Sequence, residues 1–189
     1  AEEPIFIQWF QDNGYQVLQL PREVSFEGAG DALFTADEDK LWMGYGFRTD
    51  LSAAALLEQH LQIEVIPLKL ADPRFYHLDT CFCPLDLGHV MYFPAAFDSS
   101  ANQLIEAYYS PEQRIVVAEE DAEYFACNAV CVAASQDNAF SHTIVLNDCS
   151  VSLEDRLNHA GYAVVKTPMS EFLKSGGATK CLTLQLPAR

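Results

Sequence analysis

The chain has 189 residues and 50% of them are hydrophobic, a size at which about 70% of the unfolded chain's surface can be buried around one core. With 11 Lys and Arg against 27 Asp and Glu, the net charge of −16 repels phosphate backbones and anionic lipids. Nucleic acid and membrane surfaces are therefore excluded as partners. No apolar run approaches the roughly 20 residues needed to cross a bilayer, and no secretory signal is visible. We expect a soluble, cytoplasmic protein with one domain over residues 1–189.

The six cysteines are too few and too irregularly spaced for a disulfide scaffold, which favours a reduced setting. Cys81 and Cys83, and Cys127 and Cys131, lie in apolar surroundings without the two-residue gap typical of zinc knuckles and redox dithiols. We interpret these four as buried, inert thiols. The sequence predicts no metal site and no cofactor.

The predicted elements begin with an amphipathic helix at residues 4–10, which ends at Asn13–Gly14, and an alternating strand at 15–21. Strands follow at 32–35 and 41–45, and a helix at 50–60 leads into a strand at 61–66. Further strands are expected at 78–83 and 89–93, with a helix near 102–108 and a strand at 114–117. A helix at 152–160, a strand at 162–167 and an apolar strand at 181–186 complete the chain. The alternation of helices and strands predicts an α/β fold.

An internal repeat runs through these elements. The order helix, glycine, strand, proline at residues 4–21 recurs closely at 152–168 and more weakly at 50–67, and a fourth copy lies at 102–117. Repetition at about 50 residues is typical of modular or propeller-like architectures. No low-complexity tract or long polar linker interrupts the chain, so no internal domain boundary is predicted.

Two segments carry residues suited to covalent and acid–base chemistry. Paired glycines, Gly176 and Gly177, precede Cys181 and would let the backbone approach a ligand, which makes Cys181 a candidate nucleophile. A buried cysteine at the start of a strand would look the same. In the segment 74–80, a strand-like alternation places His77 and Asp79 on one side, as a proton donor beside a carboxylate. A surface histidine beside a solvated acid is the alternative.

Two further segments carry acids and an arginine. Glu27 and Asp31 flank glycines just before an apolar strand, where an unpaired carboxylate would be costly, although a turn with two solvated acids has the same pattern. Arg48 lies between a strand and a helix and could clamp a carboxylate with two hydrogen bonds. Thr49 and Asp50 also fit an ordinary helix N-cap, which would make Arg48 structural.

Taken together and in this order, four motifs resemble the guanidine-modifying enzymes of the pentein superfamily. They are Glu-Gly-x-Gly-Asp, Gly-x-x-x-Arg-Thr, His-Leu-Asp and Gly-Gly-x-x-x-Cys-Leu-Thr, and the resemblance covers residues 26–184. The superfamily includes arginine deiminases, dimethylarginine dimethylaminohydrolases, arginine dihydrolases and glycine amidinotransferases. The local likeness to dihydrolase and dimethylargininase-like proteins is closest at residues 26–35 and 125–130. The resemblance implies a five-bladed α/β propeller of ββαβ-like modules.

The same resemblance implies a role for each motif residue. Cys181 would be the nucleophile, His77 the general acid and base, and Glu27 the group that orients His77. Asp79 would hold the guanidinium and Arg48 the substrate carboxylate.

The remaining positions are less firmly placed by the resemblance. Gly176 and Gly177 would shape the loop that presents the thiolate, and Asn128 is a candidate pocket residue. Relatives often have one residue fewer in the acid motif, so Asp31 could replace Glu27 as the partner of His77 or lie against the substrate. Relatives also carry an N-terminal segment of one or two modules, so this chain would be the larger, C-terminal part of a catalytic domain. An added segment, a partner chain or a homo-oligomer would then complete the ring.

The function implied is hydrolysis of the guanidino C–N bonds of arginine or a methylated arginine, with a cationic guanidino compound as substrate. A thiolate attack, a proton from His77 and a hydrolytic step suit these residue types. An amidinotransferase is the alternative enzyme. A non-catalytic binding module, as in the translation factors of the superfamily, is the alternative from another class, but it would not need Cys181, His77, Asp79 and Glu27 together.

Overall fold

The computed structural model describes residues 2–133 and 140–186. The described residues form a mixed α/β fold with three three-stranded sheets, all built in the same order. In each sheet the first two strands are antiparallel, a helix follows, and the third strand runs parallel to the second. Each sheet with its helix is called a unit below, numbered in chain order.

The elements have the following bounds. Helix α1 (Glu3–Asp12) precedes unit 1, which contains β1 (Ala32–Phe34), β2 (Lys40–Tyr45), α2 (Ala53–Leu61) and β3 (Glu64–Lys69). Unit 2 contains β4 (Phe82–Leu85), β5 (His89–Tyr92), α3 (Ser99–Tyr108) and β6 (Arg114–Val116). After the short helix α4 (Glu119–Glu123), unit 3 contains β7 (Val130–Ala133), β8 (His142–Leu146), α5 (Val151–His159) and β9 (Tyr162–Lys166), and α6 (Ser170–Leu173) follows.

The helix and strand boundaries have local causes. Asp98 accepts a hydrogen bond from the Ala101 N–H at the start of α3, and Ser150 accepts one from the Leu153 N–H at the start of α5. Gly161, with φ +96°, turns the chain out of α5 into β9. These signals explain why the helix and strand pairs of units 2 and 3 were predictable from sequence.

One apolar core joins the three units. It contains fully buried side chains from each, among them Trp42, Met91 and Tyr162. A smaller apolar cluster lies between α2 and the first sheet and includes Met43, Leu57 and Val65. No residue of α1 is buried. Leu78, Cys127 and Ala129, next to the candidate residues Asp79 and Asn128, belong to the shared core, whereas α1 lies outside it.

Three predicted strands are wrong at least in part. Residues 15–21 join no sheet of the described chain. The segment 78–83 starts as a 3₁₀ turn, Leu78–Thr80, because the Leu78 N–H is taken by the Asp31 carboxylate, and β4 begins only at Phe82. Cys181 lies within a 3₁₀ turn, Lys180–Leu182, and the chain then continues to 186 without pairing in the described structure.

The strand predicted at 61–66 is shifted. Gln62 has a left-handed φ of 57° and ends α2, so β3 begins only at Glu64. The strand then continues through Pro67 to Lys69. A proline is tolerated there because β3 lies at the edge of its sheet.

Within residues 2–133 and 140–186, no helix has the length and apolar character that crossing a bilayer requires.

Candidate active site

The nucleophile candidate, Cys181, differs from the other cysteines in its exposure. All six cysteines lie among the described residues, and Cys181 is the exposed one, whereas Cys81, Cys83, Cys127 and Cys149 are buried and Cys131 is half-buried. Burial raises the pKa of every thiol in that second group, which keeps them protonated. The prediction that the paired cysteines are inert, packed thiols is consistent with this placement.

The Asn128 side chain contacts Cys181 and the backbone of the loop that carries it. Its Nδ2 lies 3.1 Å from the Cys181 Sγ and 3.1 Å from the Asp79 carbonyl oxygen. Its Oδ1 accepts hydrogen bonds from the backbone N–H groups of Ala178, at 3.0 Å, and Cys181, at 3.2 Å. The side chain is fully buried. Sequence reasoning placed Asn128 against the substrate, whereas the structure turns its amide towards the sulfur and the loop backbone.

Asp79 lies on the other side of the sulfur, in the 3₁₀ turn Leu78–Thr80. Its Oδ2 is 3.5 Å from the Cys181 Sγ, and the residue is 4% exposed. Its Oδ1 is buried and has no hydrogen-bond partner among the described residues. Burial raises the pKa of this carboxyl to about 6. A buried carboxylate oxygen without a partner is costly, so this position is suited to a cation that arrives from solution.

His77 is paired with Glu27 and not with Asp31. The His77 Nε2 lies 2.7 Å from the Glu27 Oε2, although the two residues are 50 positions apart. Gly30 allows this approach, because a Cβ at that position would lie 2.9 Å from the His77 Nδ1. The alternation argument for His77 and Asp79 rested on a strand that does not form. The two residues are brought together instead by the turn that begins after His77.

Asp31 supports the turn that carries His77 and Asp79. Its Oδ1 accepts the Leu78 N–H at 2.9 Å and its Oδ2 accepts the Thr49 hydroxyl at 2.7 Å. Asp31 is 1% exposed, and its pKa is raised by burial. Both oxygens are thus engaged within the protein, which leaves this residue poorly placed for the substrate contact that the sequence suggested. Thr49 belongs to this network and does not cap α2, which begins at Ala53.

Arg48 lies at the outer side of the His77 pair. Its Nη1 is 3.5 Å from the Glu27 Oε1, and about half of its side chain is exposed. Its guanidinium lies over the ring of Tyr76, with 5.4 Å from Cζ to the ring centroid. An exposed guanidinium beside the site is placed to meet an anionic group of a ligand.

Tyr76 connects the two loops of the site and was not singled out by sequence reasoning. Its hydroxyl donates to the Gly176 carbonyl at 2.9 Å, and its ring contacts the His77 ring at 4.7 Å between centroids. Gly176 has φ +82°, and a Cβ there would lie 2.4 Å from the Tyr76 hydroxyl. Gly177 has a related role, because its missing Cβ would lie 3.2 Å from the Cys181 Sγ. The sequence signal for Tyr76 was only its position next to His77.

The charge around the sulfur favours the thiol in the free protein. Burial raises the pKa of Cys181, and the neighbouring Asp79 carboxylate raises it further, whereas the Asn128 hydrogen bond lowers it. A cation next to Asp79 would reverse the largest unfavourable charge, because a positive neighbour lowers a thiol pKa. A cationic ligand at Asp79 would therefore favour the Cys181 thiolate.

A cavity of about 450 Å³ extends from Asp79 along the first strands of the three units, β1, β4 and β7, and reaches Lys180 and the segment after it. Among the described residues, no group of three or more His, Cys, Asp or Glu side chains is placed to hold a metal ion.

Comparison with known proteins gives the family. The sequence profile described as N,N dimethylarginine dimethylhydrolase, eukaryotic, matches residues 3–187. The chain belongs to the dimethylarginine dimethylhydrolase family. This agrees with the resemblance to guanidine-modifying pentein enzymes that the motifs indicated.

Two curated relatives of the chain have different described activities. The chain is 50% identical over 186 residues to the bifunctional arginine dihydrolase/ornithine cyclodeaminase AgrE of Nostoc sp., covering 98% of this chain and 25% of that protein. It is 36% identical over 186 residues to the N(G),N(G)-dimethylarginine dimethylaminohydrolase of Mycobacterium tuberculosis, covering 98% of this chain and 57% of that protein. The chain thus spans about a quarter and somewhat more than half of these two relatives.

A solved structure shares the fold of this dimethylarginine dimethylhydrolase family member. The N-terminal domain of ArgZ, an arginine dihydrolase of the ornithine–ammonia cycle in cyanobacteria, superimposes with a TM-score of 0.90 and 50% identity, covering 97% of this chain and 64% of the solved chain. In that structure an asparagine-to-serine variant of the domain is covalently bonded to a reaction intermediate.

Proposed function

We propose that the protein is a hydrolase that cleaves a guanidino C–N bond of arginine or a methylated arginine through a covalent intermediate on Cys181. The observation that carries this proposal is the buried, unpartnered Oδ1 of Asp79, whose second oxygen lies 3.5 Å from the Cys181 Sγ. A guanidinium is planar, permanently charged and rich in N–H donors. It therefore gives a buried carboxylate stronger hydrogen bonds than water does. It would also place its carbon beside the sulfur.

The first chemical step forms the C–S bond. The Cys181 thiolate donates an electron pair to the guanidinium carbon, and the C–N π electrons move to nitrogen. Protonated His77 then gives a proton to the departing nitrogen as that C–N bond breaks. Ammonia leaves from arginine and dimethylamine from dimethylarginine, and a thiouronium remains on the sulfur.

The second step regenerates the thiolate. Water adds to the thiouronium carbon and gives one proton to His77 and one to solvent, and the C–S bond breaks with its electrons returning to sulfur. The product is citrulline. A second hydrolysis on the same site would convert citrulline to ornithine, carbon dioxide and ammonia, as an arginine dihydrolase requires.

The other site residues receive their roles from their contacts. Glu27, whose Oε2 lies 2.7 Å from the His77 Nε2, would hold the imidazole in place. Arg48 would bind the substrate carboxylate, since its guanidinium is exposed next to that pair. Asp31 would act through the turn that it supports.

We infer also that the three units belong to a propeller that is larger than this chain. The first strands of all three units line one cavity, as the inner strands of a ring do. Three units of a five-bladed ring would be about 60% of it, close to the 64% of the ArgZ domain that the chain covers. Two further modules would then close the ring, within the one or two expected from the sequence.

The test is product analysis with arginine and with dimethylarginine. The proposal expects citrulline with ammonia, citrulline with dimethylamine, or ornithine with ammonia, identified by mass spectrometry. Cys181→Ser should abolish turnover, and His77→Ala should lower kcat by about 10²–10⁴-fold. Cys149→Ala, which changes a buried cysteine just before α5, serves as the matched control and should keep the activity.

Transfer of the amidino group to an added amine in preference to water would favour an amidinotransferase. Turnover by Cys181→Ser at the rate of the unaltered protein, or no product from either compound, would overturn the proposal.

A further inference from the structure

The orientation of the Asn128 side chain is determined by its contacts. Two backbone N–H groups, those of Ala178 and Cys181, point at one end of the amide at 3.0 and 3.2 Å. Only the carbonyl oxygen of an asparagine accepts hydrogen bonds, so that end is Oδ1. The NH₂ end must then face the Asp79 carbonyl oxygen and the Cys181 sulfur, each at 3.1 Å. One of its two hydrogens is available for each acceptor.

The same residue also fixes the nucleophile loop through its backbone. The Lys180 N–H donates to the Asn128 carbonyl oxygen at 3.1 Å. One buried residue from the segment before β7 therefore accepts three backbone N–H groups of the loop, those of Ala178, Lys180 and Cys181. The sulfur cannot shift far from the amide unless several hydrogen bonds break together.

We propose that the Asn128 amide is the thiolate-binding group of the site, which holds the Cys181 sulfur and donates a hydrogen bond to it in the form that attacks. This deepens the proposed function and rests on it for the identity of the nucleophile. A neutral donor is the kind of group required here, because a fixed cation beside the sulfur would compete with the substrate for Asp79. The assignment differs from substrate binding, since the amide has no donor left for a ligand.

Other charged and titratable groups also act on the sulfur. Asp79 faces it from the 3₁₀ turn at 3.5 Å and disfavours the thiolate. Tyr76 faces the loop through Gly176, and Lys180 is the preceding residue. The Asn128 amide and the Ala178 backbone both lower the pKa of Cys181 and so oppose the effect of Asp79, and Asn128 is the side chain among them.

The test is the rate at which iodoacetamide alkylates Cys181 as a function of pH. In this reaction the thiolate forms an S–C bond and iodide leaves, while the thiol proton goes to solvent, so no turnover is needed. Asn128→Asp keeps the size of the side chain and an oxygen for the two N–H groups, but it replaces the donor that faces the sulfur. We expect alkylation near neutral pH to slow by about tenfold or more, with the rate profile displaced to higher pH.

Asn147→Asp is the matched control. Asn147 is also buried, and its amide donates to the Tyr124 carbonyl oxygen at 2.9 Å and accepts the Met169 N–H at 2.7 Å. Its substitution should leave the alkylation profile of Cys181 unchanged, which separates a local effect on the sulfur from a general effect of a buried acid. Circular dichroism and thermal unfolding verify the fold of both variants. Should Asn128→Asp fail to fold, Asn128→Ser removes the same donor without adding a charge.

Folded Asn128 variants whose Cys181 alkylation profile coincides with that of the unaltered protein would overturn the inference. In the arginine assay we expect a fall in kcat with KM changed by less than about twofold, whereas a rise in KM alone would assign Asn128 to substrate binding and overturn it as well. An altered alkylation profile in a protein that turns over no guanidine would leave the inference standing and contradict the proposed function. The two failures are therefore distinguishable.

Discussion

Asp79 combines three properties at the residue scale that a structural acid rarely has together. It is 4% exposed, one of its oxygens has no partner among the described residues, and its other oxygen lies against a thiol. Burial raises the pKa of this carboxyl to about 6, from 3.8 for an unperturbed side chain. The folded state therefore binds the proton more tightly than the unfolded state, and ionised Asp79 destabilises the fold in the absence of a ligand.

Asp79→Asn is therefore expected to stabilise the chain and inactivate it. At about pH 8 the gain in unfolding free energy should be about 1–3 kcal/mol, because each unit of the pKa shift corresponds to about 1.4 kcal/mol. The gain should shrink as the pH falls through about 6 towards 4, where the unaltered carboxyl becomes protonated and its penalty disappears. Urea unfolding at several pH values measures it. A variant that is less stable than the unaltered protein at about pH 8 would contradict the account of Asp79.

The same carboxyl predicts the acid limb of the activity profile. Guanidinium binding needs ionised Asp79, so kcat/KM should fall as the pH drops through about 6, with KM affected most. Steady-state kinetics with arginine over this range tests the expectation. A kcat/KM that stays constant from about pH 8 to about pH 5 would exclude Asp79 as the cation-binding group.

The two acids near His77 show what sequence could and could not decide at this scale. The motif order predicted that Glu27, Asp31, His77 and Asp79 belong to one site, and the structure brings them together. The motif order could not decide which acid contacts His77, because that contact depends on the 3₁₀ turn and on the approach of a segment 50 positions away. Long-range placement of this kind leaves no trace in local spacing.

The substitutions Glu27→Gln and Asp31→Asn should therefore have different effects, the first on catalysis and the second on stability as well. Glu27→Gln removes the charge that faces His77 and should lower kcat by at least about tenfold with little change in melting temperature. Asp31→Asn weakens the support of the turn through Leu78 and Thr49, both buried, and should lower the melting temperature as well. Kinetics and calorimetry on the two variants make the comparison. A purely kinetic effect of Asp31→Asn together with an inert Glu27→Gln would reverse the assignment.

At the scale of elements, local signals predicted helices and their following strands well. α3 with β6 and α5 with β9 lie close to where the sequence places them, because amphipathic spacing, caps and apolar runs act within a few residues. The strands predicted at 78–83 and 181–186 failed in part because of contacts distant in sequence. Asp31 accepts the Leu78 N–H and Asn128 accepts the Cys181 N–H at the start of these two segments. Residues 15–21 alternate in the same way but join no sheet of the described chain.

The loop with Gly176 gives the sharpest element-scale prediction. Gly176→Ala adds a Cβ at φ +82° that would overlap the Tyr76 hydroxyl, so the Tyr76 side chain or the loop with Gly176 must shift and their hydrogen bond is disturbed. Gly14→Ala is the matched control, because Gly14 has almost the same φ, +81°, with nothing within 4 Å of the added Cβ. Both should lose about 1 kcal/mol of stability from backbone strain.

Activity should separate these two variants. Gly176→Ala should reduce kcat/KM by about 10²-fold, since small displacements of reacting groups are costly, and Gly14→Ala should retain it. Enzyme assays with thermal unfolding as the reference test this pair. Equal activities for the two variants would show that contact between Tyr76 and Gly176 does not position the nucleophile.

At the scale of the whole molecule, the charge distribution has a kinetic consequence. A net charge of −16 surrounds a site that we propose takes a cation. Salt screens such attraction, so kcat/KM for arginine should fall by about threefold or more between about 10 mM and about 500 mM NaCl. Alkylation of Cys181 by uncharged iodoacetamide should change much less and serves as the control. A kcat/KM that is independent of salt would remove steering by the acidic surface from the account.

The arrangement of the units was only partly predictable at this scale. The repeat of about 50 residues indicated a modular α/β chain, and the three ββαβ units follow that order. How the units pack against one another depends on contacts between segments distant in sequence, such as those between β1 and β4, which no local pattern encodes. The expectation of a ring came from the family resemblance, and the expected site residues came from the motifs.

The covalent step on Cys181 is the central claim, and trapping it is the most direct test. The protein is mixed with arginine or dimethylarginine, quenched in acid at successive times and digested with trypsin, which cleaves after Lys180 and releases the peptide 181–189. We predict that this peptide transiently gains the mass of the substrate less its departing amine, and that the adduct decays as citrulline or ornithine accumulates. Product that accumulates while the peptide stays unmodified, or an adduct on another cysteine, would contradict the account.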